Sequence, residues 1–308
     1  SPLFPTAGSG RRAGVVIRTD LCYTSRRKSD VMKLTVLIWM GAMSALVYAG
    51  QEPRVQSTGA RIVLQWRDGD RAVQTTLTAA PGRIFGRADA VTTPGNGVFV
   101  VWEESPADGS DTDVHAQHFS TDGQALWGPA GIVINNFRGH QRAPRLAPVP
   151  QGAVIVWQSD SAGAHNNNIW CQYVRHDGRA VWETPAAVCT ARGQQLRPAI
   201  AADPDLGVII AWEDYRHGNA DIYAQRIDLD GAPLGPEDGA AIEDARTDQK
   251  NPRFANGPDG TLLIVWDDYR PGFAAPVQVQ SDLTHLPVPE PACVLLAALF
   301  VLYLRRRR

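Results

Sequence analysis

The sequence predicts an all-β protein, a β-propeller-like array of about five four-stranded blades whose first and last members are incomplete. Three observations indicate it. Tryptophans that end apolar runs recur with a nearly constant spacing, at Trp102, Trp157, Trp212 and Trp266. A glutamine follows each of them at a similar distance, at Gln117, Gln172, Gln225 and Gln280, and a proline precedes three of them, at Pro144, Pro198 and Pro252. A period of about 55 residues is typical of propellers, solenoids and arrays.

The same template finds a shortened copy at the start of the repeat region. Pro53 precedes Trp66 as the other prolines precede their tryptophans, and the loop that follows is reduced to a tight Asp68-Gly69 turn. The copies therefore begin near residues 53, 88, 143, 197 and 251. The copy near 88 lacks the proline, and the last copy ends soon after Gln280 without a fourth strand.

Each full copy predicts four strands. In the copy near 197 they are Arg197–Ala201, Val208–Trp212, Ile222–Ile227 and Ala240–Glu243. The second run is apolar throughout, so it must be covered on both faces, as a strand inside a propeller blade is. Three arrangements stay open: a ring in which the N-terminal segment supplies the missing strand of the last copy, an open array with capped ends, and a sandwich of stacked sheets.

The N-terminal region predicts export. Residues 1–31 precede the first methionine, Met32, and lack periodicity, which indicates an over-extended start. Residues 32–49 combine Lys33 with an apolar run and end in Val47-Tyr48-Ala49, the pattern of a cleaved secretory signal peptide. An uncleaved membrane anchor is the alternative. The mature repeat domain then spans 50–283.

The C-terminal region predicts a short membrane segment. A linker at 284–291 precedes an apolar stretch at 292–304 and the terminal Arg305, Arg306, Arg307 and Arg308. The stretch is short for a hydrocarbon core of roughly 30 Å, and the arginines place the end on the cytoplasmic side. Single helices are expected only here and in the signal peptide.

This tail resembles the PEP-CTERM sorting signal, with Pro289, Glu290 and Pro291 followed by the apolar run and the arginine cluster. The resemblance implies processing by an exosortase. It also implies transient residence in the inner membrane and then release to the outer surface or the extracellular matrix. An ordinary C-terminal anchor would explain the apolar run and the arginines, but not the proline-flanked glutamate.

Two cysteines of the repeat domain allow two interpretations. Cys171 and Cys189 bracket the Asp177-Gly178 turn nearly symmetrically, which favours a disulfide in an exported chain. They also stand where other copies carry Ala, Val or Ile, which favours two small buried side chains. Two cysteines lack the further ligands of a zinc cluster.

Polar residues near the tryptophan strands are the candidates for chemistry. Carboxylates at Glu103, Glu104, Glu213 and Asp214 could furnish the pair that glycoside hydrolysis requires. Calcium could bind oxygens of the hairpin tips, at Asp111, Asp113, Asp214, Asn219, Asp221, Asp267 and Asp268, although no tip has the spacing of a calcium loop. The turn from Ser120 to Trp127 resembles the Asp-box turn of sialidase propellers, with its glycine one place early.

The sequence favours a non-catalytic surface propeller, not an enzyme, that binds polysaccharide or a surface protein. The tryptophans are expected in the blade core rather than as a carbohydrate-stacking row, and the polar loop from Ala162 to Asn168 is the expected ligand contact. A secreted glycan-active hydrolase on the same scaffold is the alternative. With 30 basic and 32 acidic residues, several of the basic ones in the two ends, nucleic acid is not an expected partner.

Overall fold

The repeat domain is built entirely of β-strands wherever the structure, a computed structural model, describes it. It describes residues 52–93, 97–135, 137–160, 166–203, 206–243, 245–257, 260–271, 277–282 and 286. The strands are β1 Arg54–Ser57, β2 Arg61–Asp68, β3 Arg71–Thr78, β4 Arg83–Thr93, β5 Gly97–Pro106, β6 Asp113–Phe119, β7 Ile132–Asn135, β8 Gln141–Val149, β9 Gly152–Ser159, β10 Asn168–Arg175, β11 Ala186–Cys189, β12 Gln195–Asp203, β13 Gly207–Asp214, β14 Asp221–Ile227, β15 Ala240–Glu243, β16 Gln249–Asn256, β17 Leu262–Asp268 and β18 Val277–Asp282.

The strands form five antiparallel sheets, one for each copy of the repeat. Blade 1 is β1-β2-β3, blade 2 is β4-β5-β6-β7, blade 3 is β8-β9-β10-β11, blade 4 is β12-β13-β14-β15 and blade 5 is β16-β17-β18. The prediction of a propeller of about five blades with incomplete ends is confirmed. Because β1 pairs with β2, Arg54–Ser57 belongs to blade 1 and does not complete blade 5.

The apolar second strands are covered on both faces because alternate side chains reach two different blades. In β9, Ile155 and Trp157 pack against Phe99 and Val101 of blade 2. Val154 and Val156 point the other way, into a cluster with Ile210 and Trp212 of blade 4. The period of two along a strand thus places apolar residues in both interblade cores. Similar clusters join blade 1 to blade 2 and blade 4 to blade 5.

The repeated tryptophans lie in these cores. Their exposed fractions are 5% or less, for Trp66, Trp102, Trp157, Trp212 and Trp266. A glycine in the turn before the last strand lies against the ring in two blades. A Cβ on Gly239 would clash with the ring of Trp212, and one on Gly131 would stand 2.9 Å from that of Trp102. Each of these glycines also has a positive φ, so the turn requires glycine for two reasons.

The repeated glutamines hold the long connection between the third and fourth strands of a blade. Gln117 donates to the carbonyl of Gly128 at 2.5 Å and accepts from the backbone N–H of Trp127 at 2.9 Å. Gln172 donates to Trp182 and Gln225 to Pro236 in the same way. An amide side chain supplies both a donor and an acceptor, which explains why this position is glutamine. The side chain of Gln280 lies outside the described residues.

In blades 3, 4 and 5 the landmark proline marks a bulge in the inner strand. The pairing register shifts at Arg142/Arg145 in β8, at Leu196/Ala199 in β12 and at Lys250/Arg253 in β16. The residue just before the proline has a positive φ in each blade: 53° at Ala143, 52° at Arg197 and 56° at Asn251. Proline has no N–H to contribute to a ladder, so a bulge is a position that tolerates it. In blade 2 the bulge falls at Gly86-Arg87 without proline.

The two cysteines are free thiols, which corrects the disulfide interpretation. Cys171 faces Ala186 across β10 and β11, whereas Cys189 faces Ile169, so the two are offset along the strands. A disulfide requires Cα atoms within about 7 Å and converging Cβ atoms. Both side chains are buried in the core between blades 3 and 4, and burial raises the pKa of Cys189 to about 12.

Several predicted segments lie outside the described residues. They are the over-extended start, the signal peptide, the linker, the short apolar segment and the arginine cluster, including the Pro289-Glu290-Pro291 motif. Among the described residues, no helix has the length and apolarity needed to cross a bilayer.

Candidate functional site

A cavity of about 750 Å³ opens where the inner strands of four blades converge. Its described lining comes from β4, β8, β12 and β16: Arg87, Asp89, Arg145, Leu146, Arg197, Pro198, Ala199, Ile200, Asn251, Pro252, Arg253 and Phe254. The inner strands surround the axis of a propeller, so this axial cavity lies on that axis. The polar residues of this lining lie at the bulges of the inner strands. Arg87, Arg197 and Asn251 are bulge residues, and Asp89, Arg145 and Arg253 follow a bulge within two positions.

Arginines dominate the polar lining, and carboxylates hold three of them in place. Nη1 of Arg145 lies 3.6 Å from Oδ1 of Asp89. Nη1 of Arg197 lies 3.1 Å from Oε1 of Glu213, and Nη1 of Arg253 lies 3.2 Å from Oδ1 of Asp267. Each carboxylate thereby fixes the direction in which its guanidinium group points.

Asp89 is the acidic member of the cavity lining. Its side chain is 27% exposed, against 40% for Arg145. Burial raises the pKa of the Asp89 carboxyl above its usual value, and the positive charge of Arg145 and backbone hydrogen bonds from Ala90 and Leu146 offset only part of this. A carboxyl group that holds its proton to higher pH is suited to proton donation.

Glu103 and Glu213, predicted as catalytic candidates, instead form interblade hydrogen bonds. Oε1 of Glu103 accepts from the N–H of Ala143 in the next blade at 2.7 Å, and Oε1 of Glu213 accepts from that of Asn251 at 2.8 Å. In blade 3 the equivalent acceptor is the amide oxygen of Gln158, which accepts a hydrogen bond from the backbone N–H of Arg197 at 2.8 Å. In blades 2, 3 and 4 the acceptor after the tryptophan therefore satisfies a bulge N–H of the following blade.

Glu104 and Asp214, the other two candidates, bind the buried indoles. Oε2 of Glu104 accepts from Nε1 of Trp102 at 3.1 Å, and Oδ2 of Asp214 accepts from Nε1 of Trp212 at 2.8 Å. Arg216 also pairs with Asp214 at 2.6 Å. None of the four predicted carboxylates lines the axial cavity.

The turn that resembles an Asp-box also has a structural position. Nε1 of Trp127 donates to the carbonyl of His176 in blade 3 at 2.9 Å, and its ring lies 3.1 Å from where a Cβ on Gly178 would stand. Trp182 makes the same contact one blade further on, with Leu229 and Gly231. These turns join consecutive blades.

Of the calcium candidates, Asp267 pairs with Arg253 of the axial lining, and the others are not part of that lining. Asn219 donates to Asp221 and to backbone carbonyls, and Asp268 pairs with Arg270. Within the described ranges, no group of three or more His, Cys, Asp or Glu side chains could hold a metal ion. Residues 161–165 of the predicted ligand loop are not described, and Asn167 donates to Gln194 at 2.7 Å.

Sequence reasoning missed the residues of the axial cavity, although a signal was present. A basic residue adjoins the landmark proline in four copies, as Pro53-Arg54, Pro144-Arg145, Arg197-Pro198 and Pro252-Arg253, and the last three of these arginines line the cavity. The proline identifies the repeat, and the recurring arginine beside it is the signal that points to the cavity.

The chain resembles known proteins in structure and not in sequence. No protein-family model and no curated protein matches the sequence. Among solved structures, the chain resembles an endo-arabinase from Bacteroides thetaiotaomicron, with 12% identity, a TM-score of 0.45 and coverage of 78% of this chain and 96% of that one. It also resembles a thermostable family-43 glycoside hydrolase, with 11% identity, a TM-score of 0.44 and coverage of 78% of this chain and 93% of that one. For a family-43 endo-arabinanase from Bacillus licheniformis the identity is 10%, the TM-score is 0.38, and the coverage is 77% of this chain and 96% of that one.

These findings contradict the expectation of a non-catalytic module that is not an enzyme. The similar structures are described as glycoside hydrolases and arabinan-degrading enzymes, which matches the alternative of a glycan-active hydrolase. At identities of 12% or less and TM-scores of 0.45 or less, the likeness shows the fold alone and carries no substrate and no catalytic residue over to this chain. Its activity therefore has to be argued from its own residues.

Proposed function

We propose that the protein is a glycan-active hydrolase whose substrate binds in the axial cavity. The observation that carries the proposal is the position of Asp89, a largely desolvated carboxyl group in the wall of a cavity large enough for sugar rings. Apolar lining from Leu146, Ile200 and Phe254 offers a surface for the C–H faces of a sugar, while arginines and Asn251 offer hydrogen-bond donors to its hydroxyl groups.

Hydrolysis of a glycosidic bond requires an acid and a second carboxylate. We assign the acid to Asp89, because burial raises the pKa of its carboxyl group and so favours the protonated form that can donate to the leaving-group oxygen. Asp267 is the second carboxylate. It stands behind Asn251 and Arg253 in the wall contributed by blade 5, and 21% of its side chain is exposed. Asp89 belongs to blade 2 and Asp267 to blade 5, so the two groups come from different blades.

The other carboxylates near the cavity are less suited to this role. Glu213 is fully buried and is bonded to Asn251, Arg197 and Tyr215. Glu103 accepts two backbone N–H groups, from Arg87 and Ala143. The hydrogen bonds of both side chains therefore stabilise the packing of the blades.

The test is release of reducing ends from a panel of polysaccharides by the wild-type chain and by Asp89→Asn and Asp267→Asn. Each substitution should lower the rate of hydrolysis by about 100-fold or more, because it removes either the proposed acid or the proposed second carboxylate. Asp177→Asn is the matched control, since Asp177 is half-exposed in a turn where it pairs with Arg179. Its rate should equal that of the wild type.

The rate should also depend on pH in a defined direction. Because Asp89 acts in its protonated form and its pKa is raised, the rate should fall as pH increases through that pKa. Full activity of Asp89→Asn, or activity that rises with pH over this range, would contradict the assignment.

We also propose that the enzyme is exported by the segment at 32–49 and that an exosortase processes the tail at Pro289-Glu290-Pro291. The signal-peptide pattern and the order of motif, apolar run and arginines support this. Cell fractionation would test it. Glu290→Ala should retain the protein in the inner membrane, and unchanged release of that variant would refute the processing step.

A further inference from the structure

Among the described residues that line the axial cavity, arginines outnumber acidic residues four to one. Blades 2, 3, 4 and 5 each contribute one arginine to the lining, Arg87, Arg145, Arg197 and Arg253, whereas Asp89 is the one acidic residue of the described lining. Four guanidinium groups from four separate blades thus converge on one space. A site for a neutral sugar needs hydrogen-bond donors and acceptors, but it does not need this charge.

The arginines retain donors for a ligand after their ion pairs are made. Arg145, Arg197 and Arg253 each contact a carboxylate through Nη1, and their side chains remain 40%, 53% and 40% exposed. A guanidinium group has five N–H donors in a rigid plane, so most of them stay available. Within the described residues, Arg87 has no ion pair, although its backbone N–H is bonded to Glu103.

Glu213 and Asp267 also hold Arg197 and Arg253 in position. The side chain of Glu213 has no exposed surface, and its Oε1 already accepts from both the Asn251 N–H and Arg197. Asp267 is bonded by Asn251 and Arg253 together. An arginine that a carboxylate already holds in position loses less conformational freedom on binding an anion than a mobile arginine does. Each of its contacts with the anion is therefore stronger.

We propose that the axial cavity binds an anionic glycan and that its arginines hold a negatively charged group on the sugar, a carboxylate or a sulfate. The glycan part of this statement rests on the proposed function. Planar guanidinium groups match the two oxygens of such a group in a bidentate arrangement. Leu146, Ile200 and Phe254 supply the apolar contacts for the rest of the ring.

Isothermal titration calorimetry of the full chain tests the proposal with three probes of equal length: an oligogalacturonate, a sulfated galacto-oligosaccharide that carries no carboxylate, and a neutral arabino-oligosaccharide. At least one anionic probe should bind about ten-fold more tightly than the neutral probe, or better. The affinity should fall with increasing salt, because the contacts are ionic. The preferred anionic probe distinguishes a carboxylate from a sulfate. Equal affinity for all three would overturn the proposal.

The most informative variant is Arg87→Gln, because it leaves no carboxylate without its partner. It should weaken binding of the preferred anionic probe by about ten-fold, and Arg253→Gln should do the same. Arg179→Gln is the matched control, since Arg179 is 85% exposed in a turn outside the cavity. Unchanged affinity of Arg87→Gln and Arg253→Gln, with both variants folded by circular dichroism, would refute the role of the arginines.

The two proposals can fail separately. Asp89→Asn should still bind the anionic probe, because the arginines remain. If anionic glycans bind and no glycan is hydrolysed, the hydrolase proposal fails and the anionic site stands. If neutral glycans are hydrolysed while anionic probes do not bind, the anionic site fails and the hydrolase stands.

Discussion

Blades 3 and 4 fold alike although the chemistry at the end of their second strands differs. Blade 3 carries Trp157-Gln158-Ser159, and blade 4 carries Trp212-Glu213-Asp214. Both blades have four antiparallel strands paired in chain order, with a bulge at the same place in the inner strand. One blade achieves this with neutral side chains and the other with two buried carboxylates.

The position after the tryptophan is equivalent in the two blades. Gln158 and Glu213 both offer an oxygen at 2.8 Å from the bulge N–H of the next blade. An amide and a carboxylate are both acceptors, so the fold requires an acceptor at this position and does not require a charge.

The following position is not equivalent. In blade 4, Oδ2 of Asp214 accepts from Nε1 of Trp212, and Arg216 neutralises the carboxylate. In blade 3, Nε1 of Trp157 is buried and has no hydrogen-bond partner among the described residues. An unsatisfied buried donor costs about 1–3 kcal/mol of folding free energy. Blade 3 carries this cost at Trp157, and blade 4 does not carry it at Trp212. The carboxylate therefore adds stability to a blade but does not define its fold.

The largest effect is expected when blade 4 is given the residue of blade 3. Asp214→Ser removes the acceptor of Trp212 and leaves Arg216, 17% exposed, without its counter-charge. The free energy of unfolding should fall by about 3 kcal/mol, measured by guanidinium denaturation. Asp177→Ser is the control, because the exposed pair of Asp177 and Arg179 should contribute less than about 1 kcal/mol. Equal losses in the two variants would contradict a stabilising role of Asp214.

A smaller effect is expected at Glu213. Glu213→Leu leaves the N–H of Asn251 unsatisfied and should cost about 2 kcal/mol. Glu213→Gln retains an acceptor, as Gln158 does, and should cost less than half as much. Thermal and denaturant unfolding of both variants would measure this difference. If the two substitutions were equally destabilising, the charge of Glu213 would matter more than its hydrogen bond.

The smallest effect is expected from the reverse exchange, Gln158→Glu. The new carboxylate can accept from Arg197 N–H as the amide does, and this site is partly exposed. The free energy of unfolding at neutral pH should change by about 0.5 kcal/mol or less. A loss as large as that of Glu213→Leu would show that blade 3 selects a neutral acceptor.

Much of the architecture could be predicted because its signals are local. The strands predicted at Val208–Trp212, Ile222–Ile227 and Ala240–Glu243 agree with β13, β14 and β15 to within two residues. The landmark glutamines and prolines have distinct roles, Gln117 in holding a connection and Pro144 in marking a bulge. The spacing locates these residues, although it does not indicate what they bind.

The candidate site could be predicted only in part. Glu103, Glu104, Glu213 and Asp214 are candidates because acidic residues end apolar strands, but spacing along one strand does not say which side chain faces the axis. Asp89 lies in β4, in a copy that lacks the proline, so no landmark points to it. Its proximity to Arg145 depends on the packing of two blades against each other.

The period, a blade number of about five and most of the strands follow from the sequence alone, because a repeat of about 55 residues with alternating buried positions has few ways to bury its apolar faces. Which charged groups meet depends on the tertiary structure. Arg87, Arg145, Arg197 and Arg253 are far apart in the chain, and they converge because blades 2 to 5 each direct the bulge of the inner strand towards one cavity. That convergence is a property of how the blades pack, which no single copy of the repeat contains.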